Sequence, residues 1–503
     1  MDLDDDACYR ALLTRDRRFD GRLFIAVTTT GVYCRPICPA RIPLRKNVRF
    51  YPSAAAAQEA GFRPCLRCRP ESSPDLGIWR GTSNTVSRAL ALIEGGALGE
   101  AGVESLADRL GVGDRQLRRL FKQHLGASPL AVAHTRRVLL AKQLIHDTRL
   151  PMSEVALAAG FGSVRRFNET FQKLYGRSPS SLRRIRGEDT SATEAGVTLK
   201  LAYRPPLDWD AILAFLARRA IPGVEAVNGR TYVRSVALDG KDGAIVVEPG
   251  AGPFLKVTIR FPRLEALPSI IARVRRVFDL AADPIAIGAH LAEDPFLAPL
   301  VASRPGLRVP GAWDGFELGV RAILGQQITV SAARRLAGAL TMACGRPTRD
   351  SWALNAGLTH VFPDPVTVAE SDLKKLGMPR ARLEALKSFA VALVADPSLL
   401  GAGRSLDEAS AGLCRLKGIG EWTAQYIAMR QLREPDAFPV GDVGLIRALA
   451  DREGRRPTRA ELLSRAERWK PWRAYAAAHL WASLTPATSR SSNSEASHGP
   501  RAA

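Results

Sequence analysis

Four cysteines stand as two close pairs, Cys34 and Cys38 in "GVYCRPICPA" and Cys65 and Cys68 in "GFRPCLRCRP". Thiolates at this spacing suit a tetrahedral Zn2+ ion held by four sulfurs. On spacing alone, such a centre does no more than staple a segment too small to fold by itself. The neighbours add a second reading. Arg35, Arg41, Arg45, Lys46, Arg49, Arg63, Arg67 and Arg69 crowd the pairs, and positive charge at that density suits a phosphate backbone alongside.

The elements that must position such a centre belong to a long and basic chain. Its 503 residues are enough for about three or four domains. A net charge of +22 calls for an anionic partner, and nucleic acid, later narrowed by the motifs to double-stranded DNA, fits better than a membrane surface. No basic amphipathic helix, lipidation signal or apolar run of bilayer length stands out, and the acidic start "MDLDDDACYR" is not a signal peptide. The expectation is a cytoplasmic protein, where clustered cysteines bind metal or react and seldom form disulfides. Polar stretches at 69–84 and 186–196 divide the chain, and 486–503 reads as a disordered tail. Four globular segments remain, at 1–76, 82–186, 197–277 and 278–485.

The stretch "RDRRFDGRLFIAVTTTGVYCRPICPA", followed by "GFRPCLRCRP", resembles the N-terminal domain of Ada-type DNA methyl-phosphotriester methyltransferases over about residues 8–76. That resemblance implies one Zn2+ on Cys34, Cys38, Cys65 and Cys68. It also implies that Cys34 takes a methyl group irreversibly from an alkylated DNA phosphate. A thiolate is the competent nucleophile for such a transfer.

Residues 105–129 and 154–179 repeat one pattern: Gly111 aligns with Gly160, and Ser128-Pro129 with Ser178-Pro179. Each unit reads as a helix, a glycine turn and a basic second helix, the helix-turn-helix arrangement. Arg115, Arg118, Arg119, Arg165 and Arg166 lie near the starts of the two second helices and are the candidate DNA contacts. The segment resembles the AraC-type DNA-binding domain. Ada-type proteins join these two segments in this order and often add an O6-alkylguanine methyltransferase with a Pro-Cys-His-Arg motif. That motif is absent here, with Cys344 in "ACGRP" and Cys414 in "GLCRLKG".

Residues 197–261 alternate as strands around one helix, "DWDAILAFLARR", and predict a small α+β domain; beyond 278 the apolar spacing is helical. In "LCRLKGIGEWTAQYIAMRQL", Gly418-Ile419-Gly420 joins two helices and would turn backbone amides toward a phosphate. Asp442 follows in "FPVGDVGLIRAL". Together with "AILGQQITVSAARRLAG" and "ERWKPWRAYAAAHLWA", residues 197–485 resemble AlkA-type 3-methyladenine DNA glycosylase II, of the helix-hairpin-helix superfamily. The resemblance makes Asp442 catalytic, Gly418 and Gly420 the DNA-binding hairpin, and Trp422, Tyr426 and Trp481 the walls of the base pocket. Gln327 stands where an apolar wedge is usual. Trp422 occupies the slot of the Schiff-base lysine in strand-cutting relatives, so base release without strand cleavage is expected.

The fold class expected is therefore multidomain, α+β and mainly α: a small zinc-bound domain, a double helix-turn-helix domain, a small α+β sheet domain and an all-α helix-hairpin-helix glycosylase domain. The function implied is DNA alkylation repair joined to transcription regulation, with RNA polymerase as a further partner. A rival from another class is a transcription factor whose glycosylase-like half only positions DNA.

Overall fold

The computed structural model describes residues 4–74, 84–98, 102–183, 196–401, 404–451 and 453–484. The tail expected at 486–503, and nearly all of the linker 186–196, fall outside these residues.

The front segment opens with the helix Asp5–Leu13, capped by the Asp4 carboxylate. A four-stranded sheet follows, ordered Val48–Tyr51, Phe24–Val27, Val32–Cys34 and Arg63–Pro64, with only the last pairing parallel. Its two faces bury little. Cys8, Leu12, Leu23, Ile25 and Val48 pack on one side, and Phe24, Ala26, Tyr33, Ala57 and Phe62 on the other. So small a core needs a staple, which the metal centre can supply.

Two helix pairs follow, joined by the long helix Pro129–Asp147. Their second helices, Asp114–Leu125 and Val164–Tyr175, are built alike. Leu117, Phe121 and Leu125 are buried in one, and Phe167, Phe171 and Tyr175 in the other, as an i, i+4, i+8 stripe requires. The glycines expected to align do so in conformation. Gly111 and Gly160 turn at φ +67° and +78°, and Gly126 and Gly176 cap the second helices at +67° and +68°.

Residues 197–260 form a five-stranded antiparallel sheet, ordered Val197–Ala202, Phe254–Arg260, Lys241–Pro249, Thr231–Leu238 and Glu225–Asn228. The short strand Glu225–Asn228 carries no clear alternation and escaped the sequence reading. The turn expected in "LDGKDG" is a two-residue hairpin loop with positive φ at both Asp239 and Gly240, which matches strand twist. Leu255, Val257 and Ile259 are fully buried on one face. That face belongs to one apolar cluster running from Val138 and Leu144 through Phe167 and Phe171 to Leu199, Val257 and Trp313. The second helix-turn-helix unit and the sheet therefore share a core, although a polar linker separates them in sequence. The remaining residues are helical. The buried helix Gly315–Leu324 lies at their centre, against Arg380–Ala395 and Glu421–Ile427. No helix among the described residues is long and apolar enough to cross a membrane.

Candidate functional site

The metal centre is assembled by two loops. Cys34 ends the strand Val32–Cys34, and the Cys65 amide donates to the Tyr33 carbonyl at 2.9 Å, which brings the second pair beside the first. All four sulfurs lie within 4.8 Å of one another. Tetrahedral Zn–S bonds of about 2.3 Å would set sulfurs about 3.8 Å apart, so the donor set fits the ion. None of the four is in a disulfide, and each is only 6–8% exposed. Contacts with Cys38, Cys65 and Cys68, and then burial, push the Cys34 thiol far up, while contact with Cys34 pushes Cys65 far down. Four thiols so close cannot all ionise without a cation among them.

The backbone treats the sulfurs unequally. Arg35 N–H donates to Cys68 Sγ at 3.3 Å and Arg67 N–H to Cys65 Sγ at 3.4 Å. Among the described residues no backbone amide donates to Cys34. An N–H bond draws charge from a thiolate, so Cys65 and Cys68 are the two sulfurs that share theirs with the backbone. Purified protein is expected to carry one zinc per chain. Cys65→Ser is expected to lose both the metal and the front-domain fold, read by elemental analysis and circular dichroism. Unchanged zinc content in that variant would refute the four-sulfur assignment.

The arginines around this centre divide into two groups. Arg41, Lys46, Arg49 and Arg67 are exposed, as a phosphate-facing surface requires. Arg35 is instead turned inward: its Nε donates to Asp20 Oδ1 at 2.7 Å and its Nη1 to the Cys68 carbonyl at 3.2 Å. Arg45 pairs with Asp5, and Arg69 with Glu71 and Asp147. For Arg35 and Arg69 the reading as phosphate contacts is corrected, because carboxylates buried beside them take up their charge.

The same loop is fastened to the helix-turn-helix region. Lys142, fully buried on the helix Pro129–Asp147, donates to the Cys65 carbonyl at 2.8 Å and to Glu71 at 2.7 Å. Removing one member of such a buried pair typically costs about 3–5 kcal/mol. A second seam reaches the rear half, where Arg22 and Arg204 both pair with Asp283 and Arg204 also donates to the Asp20 carbonyl.

On the two reading helices the five candidate arginines all face outward. Arg118 makes only a loose intrahelical pair with Asp114 at 3.4 Å, Arg119 donates to Gln116 at 2.8 Å, and Arg165 pairs with Glu169 at 2.8 Å. Such exposed contacts are worth little and yield readily to a phosphate or a base edge.

In the rear half the structure brings Asp442, Trp422, Tyr426 and Trp481 together. Asp442 caps the helix Val443–Ala448, its Oδ1 accepting from the Leu445 amide at 3.0 Å. Trp481 Nε1 donates to the same oxygen at 2.8 Å, and Trp422 Nε1 to Oδ2 at 2.9 Å. Both carboxylate oxygens are thereby aimed. A Cβ on Gly444 would lie 3.0 Å from the Trp481 ring and 2.9 Å from Asp442, so the glycine leaves the indole its place. Trp422 and Tyr426 stack at 5.2 Å between centroids and 9° between planes. The hairpin beside them is anchored by buried Ile419. Gly418 has φ +83° and no room for a Cβ, which would meet Ala385 at 2.4 Å, whereas Gly420 opens to the outside. Lys417, just before the hairpin glycine, pairs with Glu384 at 2.7 Å.

Gln327 is exposed and left-handed, at φ +58°. Its neighbour Gln326 escaped the sequence reading and ties this loop to the hairpin, donating to the Gly418 carbonyl at 2.9 Å and to Thr423 at 3.2 Å. Arg382 holds the Gln326 carbonyl at 2.7 Å. Also missed were Phe215 and Arg219, on the helix Trp209–Arg219 of the sheet domain, and Arg430. The Arg430 guanidinium lies 4.8 Å from the Phe215 ring and 5.3 Å from that of Tyr426. Nothing in the local sequence of the sheet domain points to this pocket.

Comparison with known proteins agrees with this assembly. Four family models match in succession: the metal binding domain of Ada over residues 7–71, a helix-turn-helix domain over 106–185, the AlkA N-terminal domain over 198–314, and the HhH-GPD superfamily of base excision DNA repair proteins over 320–474. The DNA-3-methyladenine glycosylase 2 of Escherichia coli is 35% identical over 56% of this chain and 95% of its own. The solved 3-methyladenine DNA-glycosylase of Archaeoglobus fulgidus shares the fold of the rear half, with a TM-score of 0.51 and 21% identity over 56% of this chain and 97% of that one. The four-cysteine cluster is the zinc site of the Ada-type domain, for one Zn2+. A probable bifunctional transcriptional activator/DNA repair enzyme AlkA of Mycobacterium tuberculosis is 43% identical over 96% of this chain and 97% of its own length. With that match running through all four domains, the chain belongs to the family of bifunctional transcriptional activator/DNA repair enzymes that fuse an Ada-type front to an AlkA-type glycosylase.

Proposed function

We propose that the chain repairs alkylated DNA by two reactions and reports the first of them to promoters. At the front, Cys34 Sγ attacks the methyl carbon of a DNA methyl-phosphotriester. The carbon–oxygen bond breaks, the phosphodiester leaves as an anion, and the thioether remains, so each chain acts once. Bound zinc keeps the sulfurs deprotonated at neutral pH. The role of Cys34 as the acceptor rests on its place as the first of the four cysteines of the Ada-type domain. The outward arginines Arg115, Arg118, Arg119, Arg165 and Arg166 then read DNA in the major groove.

At the rear, the chain releases alkylated purines, 3-methyladenine foremost, and leaves an abasic site. The observation that carries this reading is the Asp442 carboxylate, held on both oxygens by indole N–H groups beside a stacked Trp422–Tyr426 pair. A purine alkylated at N3 or N7 is cationic and leaves readily once flipped from the duplex. The remaining demand is an anion near the oxocarbenium-like sugar, which Asp442 supplies. Trp422, Tyr426 and Trp481 wall the base, each cation–aromatic contact contributing about 0.5–2 kcal/mol. Gly418 and Gly420 take the phosphate, and Gln327 enters the space that the flipped base vacates.

One substrate tests both reactions: duplex DNA alkylated with radiolabelled methyl groups. The full chain is expected to release labelled 3-methyladenine with turnover and to retain about one label per chain on protein. Label on protein without any base release would favour a regulator whose rear half only positions DNA. A chain that takes up no label and releases no base overturns the reading.

A further inference from the structure

The front domain meets the rear half along a seam of charge. Arg204, in the loop after the strand Val197–Ala202, is only 6% exposed. Its Nη1 donates to Asp283 at 3.1 Å and to the Arg18 carbonyl at 3.5 Å, and its Nη2 donates to the Asp20 carbonyl. Arg22 meets the same Asp283 carboxylate from the front domain. Two guanidiniums from different domains therefore share one carboxylate. At Gly21 a Cβ would meet the Pro74 carbonyl at 2.5 Å and stand 3.5 Å from Arg204, so the front turn fits closely against this side chain. Burial, and then Arg22, lower the Arg204 pKa to about 10. Positive charge is in excess here, and it is tolerable only while its acceptors stay in place.

One of those acceptors is placed by the metal loop. The Asp20 carboxylate is taken up by Arg35, whose Nε reaches it at 2.7 Å. Arg35 also grips that loop, its Nη1 donating to the Cys68 carbonyl at 3.2 Å and its backbone N–H to Cys68 Sγ at 3.3 Å. The Asp20 carbonyl therefore stands before Arg204 only in a folded front domain, and so small a core folds on its metal. On the other side the seam continues inward. The Arg204 carbonyl accepts from buried Arg308, which also holds the Asp279 and Ala282 carbonyls at 3.2 and 2.8 Å. Asp279 accepts from the Tyr475 hydroxyl at 2.7 Å. Tyr475 shares the helix Arg473–Ser483 with Trp481, which aims Asp442.

We propose that zinc binding by the four cysteines and the order of the rear half are one coupled equilibrium, joined through Arg22, Asp283 and Arg204. Its consequence for base release rests on the rear half being a glycosylase. Folding of the front domain on its metal is the two-state element that both ends bias. Without the metal the front turn lets go of Arg204, and Asp283 keeps a single cation. The segment 279–291 then loses the brace that the front domain gives it through Arg204. Such coupling is reciprocal, so a change in the rear half must alter the hold on zinc by the same factor. The glycosylase half works at its full rate only in a chain whose front domain is loaded.

Asp283→Asn tests the seam from the rear half, 261 positions along the chain from Arg22. Asparagine keeps the cap that Asp283 gives the helix Pro284–Leu291 and removes the charge between the two arginines. In competition with a zinc chelator, the full-length variant should give up its metal at about 5–150-fold lower chelator concentration than wild type. Arg22→Ala should act in the same direction. The double variant should be no worse than Asp283→Asn alone, since the pair is already broken. Amide hydrogen exchange in the helix Pro284–Leu291 should accelerate by a similar factor when wild type is stripped of zinc, and much less in Asp283→Asn. Stripped wild type should also release 3-methyladenine more slowly. Unchanged zinc competition in both single variants overturns the proposal, and so does exchange or base release that ignores the metal. A loaded wild-type chain that releases no 3-methyladenine overturns the glycosylase reading, while zinc competition and exchange still decide the coupling.

Discussion

Asp442→Asn is expected to lower 3-methyladenine release by at least about 10²–10³-fold, the scale on which a preorganised transition-state charge acts. The substitution removes the anion and disturbs its setting as well. Asp442 accepts from three N–H groups, those of Trp422, Trp481 and Leu445. A carboxamide must set its own NH2 against one of those donors. Affinity for duplex DNA should change little, since phosphate contact falls to the backbone of the hairpin at Gly418–Gly420 and to the basic surface, not to the carboxylate. Single-turnover base release, beside binding to DNA that carries an abasic-site analogue, measures the two effects separately. Release near the wild-type rate would assign the chemistry to another residue. Borohydride is expected to trap no enzyme–DNA adduct with either protein, because Trp422 and not lysine follows the hairpin.

The second large effect concerns promoter binding. Methylation at Cys34 removes one negative charge from a cluster only 6–8% exposed, beneath a surface that carries Arg41, Lys46, Arg49 and Arg67. The unmodified thiolates oppose the phosphates that those cations attract, so promoter affinity is expected to rise on methylation. A coupling of about 1–3 kcal/mol, or about 5–150-fold, is the usual range. The loop of Cys65 and Cys68 also meets the helix joining the two reading units, through Lys142 and through the Arg69–Asp147 pair. The change is therefore made on a loop that both units feel. Affinity is compared at fixed salt before and after exposure to methyl-phosphotriester DNA, with Cys34→Ala as the chain that takes no methyl group. Equal affinities before and after would reduce the front domain to a repair device.

Much of this was legible in sequence because it is local. Paired cysteines declare a tetrahedral thiolate site by spacing, and alternation in "FLKVTIRF" shows which residues line the core. Gly111 and Gly160 announce turns because only glycine takes positive φ at no cost. Gly418-Ile419-Gly420 and Asp442 form a motif of fixed spacing on neighbouring elements. The resemblances rest on such short-range patterns.

What the tertiary structure decided are pairings between residues far apart in the chain. Arg35 and Arg41 look alike in sequence, yet Asp20 draws Arg35 inward while Arg41 stays outside. Nothing in the sequence near Lys142 marks it for burial, yet the fold sets Glu71 and the Cys65 carbonyl against it. Phe215 and Arg219 reach the base pocket from another domain, and Trp481 reaches Asp442 from the helix Arg473–Ser483. A buried charge is tolerable only beside its partner, and the partner's distance along the chain leaves no periodicity to read. The sequence by itself determined the elements and the chemistry that each can carry; three-dimensional packing alone decided which charges face DNA, which are neutralised within, and which stand beside the reacting base.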